Sequence, residues 1–411
     1  MRASFRWLWT SAGTANLGDG ITVIALPLIA LAADAPPGHV ALVTVAATIA
    51  WPIFGLHAGW IVDTVSPAKL LIAVNAMRVL ALTALLIAIA ADFAVYAFTI
   101  AAAFAYGLAE TLVDTALIAT VPRTVDPGRL TAANSRLEAT INVANQLAGP
   151  PLAGLLIGLS SLAAAASGAG LYAMSALAAV GLALTLQRGG NPGRESGAAL
   201  PLRVREGMRF LWNHRLQREL TLLTAAMSVV WGAWTSTFVL YAVAPGPLGL
   251  SPEAYGLLLT GMAVGGIAAS MLTFRLERLL SPAALLFVDT VGTVGLVLPA
   301  ALGAPVPVIA VGIILAGSGA TVWRIIVAVV RQQATPPDLL GRVYSASRVI
   351  SWGALPLGAS LAAAGVTTLG TQPVLWIASG VAVAVALWFA ARLPMTAPLI
   401  NAAASEVDGN G

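Results

Sequence analysis

Residues 107–138 read GLAETLVDTALIATVPRTVDPGRLTAANSRLE, and residues 317–348 read GSGATVWRIIVAVVRQQATPPDLLGRVYSASR. Each stretch runs from the end of an apolar helix through a polar turn into a second helix. At an offset of 210 residues the identical pairs are Gly107 and Gly317, Thr111 and Thr321, Pro127 and Pro337, Leu130 and Leu340, and Ser135 and Ser345. These matches suggest that the second half of the chain is a copy of the first.

The apolar runs have the same arrangement in both halves. They fall at about 11–33, 41–62, 70–91, 94–120, 134–160 and 163–187, and again at about 219–243, 253–274, 283–303, 306–330, 341–366 and 372–392. Runs of about 20 residues suit helices that cross a ~30 Å hydrocarbon core. We therefore predict an all-α integral membrane protein with twelve transmembrane helices in two six-helix halves.

The composition excludes several classes of protein. The 411 residues are 59% hydrophobic and 9% charged, whereas soluble domains carry about 25% charged residues. Cysteine is absent and the three histidines are far apart, so we expect no disulfide, no thiolate nucleophile and no metal site. The pI of about 9.8 reflects basic loops, which in a membrane protein indicate topology rather than nucleic-acid binding.

The distribution of arginine predicts the orientation. If the N-terminus is inside, the six outer loops carry no Lys or Arg, and every basic segment is cytoplasmic. We therefore expect a multi-pass protein with both termini in the cytoplasm. Asn16 and Asp19 interrupt the first apolar run, so it is predicted to be an uncleaved span rather than a signal peptide.

Four regions follow from these boundaries. We predict an N-terminal six-helix half at 1–187 and a cytoplasmic linker at 188–217, with a basic amphipathic helix at the inner membrane surface. A C-terminal six-helix half at 218–393 and a disordered tail at 394–411 complete the chain.

The chain resembles the major facilitator superfamily, and more narrowly its bacterial drug:H+ antiporter branch, which includes macrolide and siderophore exporters. The resemblance rests on LGDGITVIALPL (17–28), AETLVDTAL (109–117), PGRLTAANSRLE (127–138), GPPLAG (149–154) and LLGRVYSASR (339–348). It implies parallel six-helix repeats, alternating access, a small-molecule substrate and the bacterial cytoplasmic membrane. It also implies a monomer driven by a proton gradient, without a cofactor.

Two motifs of this family can be compared residue by residue. GPPLAG matches the end of the fifth-helix motif associated with antiport, and Gly149, Pro150 and Gly154 are predicted to permit close packing and a bend. The loop between helices 2 and 3 usually reads Gly-x-x-x-Asp-Arg. Here Gly59 and Asp63 remain, but Thr64 replaces the Arg, so this loop departs from the family's gating charge relay.

Charged residues inside spans point to function, because each costs at least ~2.5 kcal/mol near the bilayer centre. The candidates are Asp19, Arg78, Glu110, Asp114, Glu138, Asp289 and Arg324. The repeat aligns Asp114 with Arg324 and brings Arg78 within one turn of the position matching Asp289. We predict two local ion pairs, Arg78–Asp114 and Asp289–Arg324. A cytoplasmic gate between Asp114 and Arg324 is the alternative.

Glu110 aligns with Ala320 in the repeat, and Asp19 has no acidic counterpart in the seventh span. Burial disfavours the charged form of a carboxyl group and so favours proton uptake. Both residues are therefore candidates for the coupling proton. Hydrogen bonding to Asn16, Thr111 or another polar neighbour is the structural alternative.

Several polar and aromatic residues are candidates for the substrate cavity. They are Asn142, Asn145 and Gln146 in the fifth span, Trp231, Trp234, Phe238 and Tyr241 in the seventh, and Trp323 in the tenth. Hydrogen bonds between helices, or packing against neighbouring helices or lipid, are the alternatives.

These observations predict a proton-driven exporter of hydrophobic or amphiphilic small molecules such as antibiotics or siderophores. A lysophospholipid flippase or a metabolite uptake carrier would share the fold. The chain has no nucleotide-binding P-loop and no catalytic motif in its spans, which argues against a pump driven by ATP and against an enzyme.

Overall fold

The computed structural model describes residues 3–55, 61, 65–187, 200–336 and 339–405. The predicted loop residues Gly59 and Asp63 lie outside the described residues, as does the side chain of Asp114. Eleven helices in the described part of the chain are long and apolar enough to cross a membrane. The prediction of an all-α membrane protein is confirmed.

The helices up to residue 187 are α1 (Ala3–Ala32), α2 (Pro37–Thr48), α3 (Pro67–Ala90), α4 (Val95–Thr124), α5 (Leu130–Ile141), α6 (Gly149–Leu159) and α7 (Ser161–Gln187). Proline at the first position of α2 and α3 suits a helix start, where its missing N–H would have no partner. In a bilayer such helices are favoured because every backbone polar group is satisfied within the segment.

The later helices are α8 (Leu200–Asn213), α9 (Arg215–Ala242), α10 (Pro252–Leu279), α11 (Pro282–Ala301), α12 (Val306–Gln333), α13 (Leu340–Leu369) and α14 (Thr371–Ser405). Side chains cap three of them, and Ser251 Oγ accepts a hydrogen bond from the N–H of Ala254 at the start of α10. The Ser281 hydroxyl accepts a hydrogen bond from the backbone N–H of Ala284 at the start of α11. His214 Nδ1 accepts one from the N–H of Gln217 at the start of α9.

The fifth predicted span is helical from Leu130 to Leu159 but is not one α-helix. A π-helix, Asn142–Ala148, separates α5 from α6. Pro150 and Pro151 lack the N–H groups that would bond the carbonyls of residues 146 and 147 in an α-helix. The wider π turn lies directly before these prolines, where the regular α-helical hydrogen bonds are interrupted. Such turns are frequent at functional sites.

The chain forms two compact units, which we describe separately. The first contains residues 1–198 and 249–260, and the second contains residues 199–248 and 261–411. In the first unit α7 packs against α1 and α3, and in the second α13 packs against α9 while α14 packs against α11. Each unit has its own buried apolar core, around Leu71, Ala116 and Leu182 in the first and Leu223, Leu286 and Phe389 in the second.

The linker and the tail differ from their predicted descriptions. Helix α8 of the linker belongs to the second unit: Leu211 is fully buried, and Glu206 forms an ion pair with Arg342 of α13. The prediction that the chain is disordered from residue 394 is wrong as far as Ser405, because α14 continues through this segment and buries Ile400 completely.

Candidate functional site

A cluster of three charged side chains lies inside the first unit. The Arg78 Nη2 of α3 is 3.2 Å from Asp19 Oδ1 of α1 and 3.1 Å from Glu110 Oε2 of α4. Asp19 and Arg78 are each 1% exposed, whereas the Glu110 side chain is 23% exposed. One guanidinium nitrogen thus bridges two carboxylates that come from different helices.

Two tyrosines enclose this charged cluster. The Tyr172 hydroxyl of α7 donates a hydrogen bond of 2.8 Å to Asp19 Oδ1 and lies 3.3 Å from Thr22 Oγ1. The Arg78 guanidinium lies 4.9 Å from the centre of the Tyr172 ring and 5.8 Å from that of Tyr106. Both separations allow a cation–π interaction, which compensates part of the desolvation of the guanidinium.

Small residues allow α1 to bring Asp19 into this position. A side chain at Gly18 would place its Cβ 3.0 Å from the Tyr172 ring. A Cβ at Gly20 would lie 2.3 Å from the backbone oxygen of Asn145 and 2.9 Å from the Cα of Gly149. The backbones of α1 and the fifth span are therefore in direct contact one residue after Asp19.

The cluster corrects the prediction for the acids. Glu110 and Asp19 are not isolated from cations, because both contact Arg78. Asp114 was the predicted partner of Arg78, and its side chain lies outside the described residues. Glu110 and Asp114 are four residues apart, about 6 Å along a helix, so sequence spacing alone does not select the partner of Arg78.

The three polar residues of the π-helix have different surroundings. Asn145 Nδ2 donates a hydrogen bond of 3.5 Å to Asn16 Oδ1, and Asn142 Nδ2 donates one of 3.4 Å to Glu138 Oε1. Gln146 is exposed. Near this segment a cleft of about 530 Å³ lies between α4 and α5 and is lined by Leu117, Val121, Asn134, Ser135, Leu137, Glu138 and Ile141.

The predicted ion pair between Asp289 and Arg324 is wrong. Asp289 is buried, whereas Arg324 is exposed, and no ion pair joins these two described residues. Asp289 instead faces Gly319 of α12. Gly319 and Arg324 are five residues apart, which at 3.6 residues per turn separates them by about 140° around the helix.

The aromatic residues of the seventh span were predicted to line a cavity, and this is wrong for those that are buried. Trp234 is 3% exposed and Phe238 is fully buried, and their rings stack at 4.7 Å. Trp231 is partly buried and meets Trp234 edge-on. Trp323 of α12 is also buried, and its Nε1 donates a hydrogen bond to Thr224. These side chains form packed core.

Comparison with known proteins agrees with this architecture. A family model described as transmembrane secretion effector matches residues 1–407. The chain belongs to the transmembrane secretion effector family. No curated protein sequence matches this member of the family.

Similar solved structures identify the fold of this chain. The nucleoside transporter NupG is 14% identical with a TM-score of 0.72, over 95% of this chain and 99% of that chain. A bacterial homologue of the iron transporter ferroportin is 18% identical with a TM-score of 0.70, over 93% of this chain and 98% of that chain. A peptide transporter, POT, in complex with alafosfalin is 13% identical with a TM-score of 0.71, over 97% of this chain and 96% of that chain. Identities this low show the fold and leave the substrate open. Together with the family match, these structures identify the chain as a membrane transporter of the major facilitator fold.

Tyr172 and Tyr106 belong to the charged cluster but were not predicted from the sequence. Tyr172 lies in the apolar segment GAGLYAMS, and Tyr106 lies in AAFAYGLA. A buried tyrosine hydroxyl usually needs a hydrogen-bond partner. That requirement was the one available signal, and it does not say which span supplies the partner.

Replacing Tyr172 with Phe tests the hydrogen bond from the Tyr172 hydroxyl to Asp19. The ring remains, but a hydrogen bond to a charged group is lost, which costs about 1.5–3 kcal/mol. We expect a lower midpoint of thermal unfolding in detergent than for Tyr96→Phe, whose tyrosine is partly exposed near the start of α4. Equal midpoints for the two variants would contradict the assigned role of the Tyr172 hydroxyl.

Proposed function

We propose that the protein exports hydrophobic or amphiphilic small molecules across the bacterial cytoplasmic membrane in exchange for protons. The observation that carries the proposal is the buried contact of one arginine with two carboxylates, Asp19 and Glu110. Both termini are placed in the cytoplasm, because this orientation leaves the outer loops without Lys or Arg.

The burial of the cluster favours the binding of a proton. Asp19 and Glu110 both contact one guanidinium nitrogen of Arg78, and each carboxylate charge in a buried region carries a desolvation penalty. Protonation of one carboxyl group removes the penalty of that charge. A proton that binds on one side of the membrane and leaves on the other can therefore drive a conformational cycle.

The two carboxyl groups differ in their access to water. Asp19 is 1% exposed and accepts the hydrogen bond from Tyr172, so its ionised form is supported by two donors. Glu110 is 23% exposed and lies at the edge of the cluster. We therefore assign proton exchange to Glu110, and assign to Asp19 the permanent ion pair with Arg78.

The type of substrate and the direction of transport rest on separate observations. The cleft of about 530 Å³ between α4 and α5 has the size of a small-molecule site, and its lining mixes apolar side chains with Asn134, Ser135 and Glu138. The family description refers to secretion. The segment GPPLAG resembles the fifth-helix motif of antiporters. Together these features favour export of an amphiphilic compound over uptake.

Glu110→Gln tests proton coupling directly. We expect gradient-driven uptake of an amphiphilic dye or a macrolide into inside-out vesicles to fall at least tenfold. Exchange of labelled for unlabelled compound without a gradient should persist, because this exchange requires no net proton movement. The matched control is Glu277→Gln. The Glu277 side chain is exposed and lies near the end of α10, after the apolar span that ends at Thr273.

Three outcomes would count against this assignment. Transport by the unaltered protein that survives collapse of the proton gradient would remove proton coupling. Gradient-driven transport retained by Glu110→Gln would remove Glu110 from the coupling step. Accumulation of substrate only in right-side-out vesicles would reverse the direction and favour an uptake carrier.

A further inference from the structure

Asp289 is a buried carboxyl group that the proposed transport cycle does not use. It lies seven residues into α11, about 10 Å from the start of that helix. Its side chain is 3% exposed, and its Oδ2 atom has no hydrogen-bond partner in the described part of the chain. Arg78 lies about one turn further into the third helix of the first unit and has two carboxylate contacts there.

The ionisable groups on the helices packed against α11 have other contacts. Helices α9, α12 and α14 pack against it. Arg392 forms an ion pair of 2.8 Å with Glu219, and Arg331 donates a hydrogen bond to Gln217. Arg218 donates a hydrogen bond to the Trp212 carbonyl, and Arg215 contacts Met395. Tyr241 stacks on Phe238, and Arg324 is exposed. Among the described residues, no ion pair compensates Asp289.

Helix α12 closes over the carboxyl group at a glycine. A Cβ built on Gly319 would lie 2.1 Å from Asp289 Oδ1 and 3.2 Å from the Asp289 Cα. The backbone of α12 therefore presses directly against the acid. This contact excludes water from that side, and a charged carboxylate placed there would lose its hydration without gaining a cation.

We propose that Asp289 is a second protonation site of this transporter, held as a neutral carboxylic acid while α11 and α12 are packed together. When the two helices separate at Gly319 and water enters, the O–H bond of the acid breaks. The electron pair stays on the carboxylate oxygen and the proton passes to water. Proton binding at Asp289 thereby favours the packed arrangement of these helices and proton release favours the separated one. This inference does not depend on Glu110, because it concerns a different unit.

Infrared spectroscopy of the purified full-length protein tests the proposal. A protonated carboxylic acid has a C=O stretching band that an ionised carboxylate lacks. We expect this band at neutral pH in the unaltered protein and in Glu110→Gln, and its loss or marked reduction in Asp289→Asn. Asp92→Asn is the control, because Asp92 is exposed and Asn tolerates its positive φ of 49°. An unchanged band in Asp289→Asn would overturn the proposal.

Two further results decide the remaining alternatives. Asn has the shape of the neutral acid and no charge, so Asp289→Asn should fold with a melting temperature close to that of the unaltered protein. Failure of this variant to fold would overturn the proposal, because it would show that the carboxyl group itself is needed. A rise in melting temperature caused by sodium, present in the unaltered protein and lost in Asp289→Asn, would also overturn it by assigning Asp289 to a cation site.

Discussion

Replacing Arg78 with Gln is expected to abolish gradient-driven transport and to destabilise the first unit more than any neutral substitution on its surface. The change removes the guanidinium that contacts both Asp19 and Glu110, and leaves the two carboxyl groups without this shared cation. Removing one partner of a buried ion pair typically costs about 3–5 kcal/mol. Thermal unfolding in detergent and uptake into inside-out vesicles would measure the two effects.

A set of combined variants separates charge from shape in this cluster. Arg78→Gln with Asp19→Asn and Glu110→Gln leaves three neutral side chains of nearly the original size. We expect this triple variant to regain most of the thermal stability but no proton-driven transport, because the cluster no longer has a carboxyl group that can exchange the coupling proton. Arg209→Gln is the control, since Arg209 is exposed on α8. A triple variant as unstable as Arg78→Gln would show that charge compensation is not what Arg78 provides.

Replacing Gly20 with Ala is expected to produce the second large effect. The new Cβ would lie 2.3 Å from the backbone oxygen of Asn145, and no side-chain rotation can relieve a contact with backbone. Overpacking usually costs about 1–3 kcal/mol, and a backbone contact favours the upper part of that range. Transport should fail as well, because moving α1 also moves Asp19 away from Arg78.

The matched control for Gly20→Ala is Gly170→Ala. Gly170 is a helical glycine of α7 with no atom within 4 Å of its ideal Cβ. Replacing it should be neutral or stabilising by up to about 1 kcal/mol, the difference in helix propensity. Gly149→Ala should resemble Gly20→Ala, and the double variant should cost less than the sum because both residues form one contact. If the free-energy costs of the two single variants simply add, Gly20 and Gly149 do not share one contact.

The site could be predicted from the sequence only in part. Asp19, Arg78 and Glu110 stood out because a charge in an apolar span is costly and needs a reason to be there. Their mutual contact was not predictable from the repeat, since the repeat compares equivalent positions and carries no information about which helices touch. Tyr172 lies in an otherwise apolar segment, so its bond to Asp19 depended on the packing of α7 against α1.

Asp289 and Arg324 show the same limit in the second unit. Opposite charges on the ninth and tenth spans, with the signs exchanged relative to the third and fourth, suggested a pair. The structure instead places Gly319 of α12 against Asp289 and leaves Arg324 exposed. The prediction that aromatic residues of the seventh span line a cavity was wrong for a related reason. Regular spacing marks one face of a helix, and Trp234 and Phe238 show that this face packs inside the unit.

The sequence by itself determined the membrane class, the helical architecture and the positions of charge along each helix. These features depend on the length and polarity of local segments, because a bilayer requires each spanning segment to satisfy its own backbone. The tertiary structure decided which charges meet. That choice depends on the rotation of each helix and on vertical shifts of one turn, about 5.4 Å, which side chains on other helices select. The contact of Glu110 with Arg78 is set by the packing of α3 against α4, which the sequence alone does not establish.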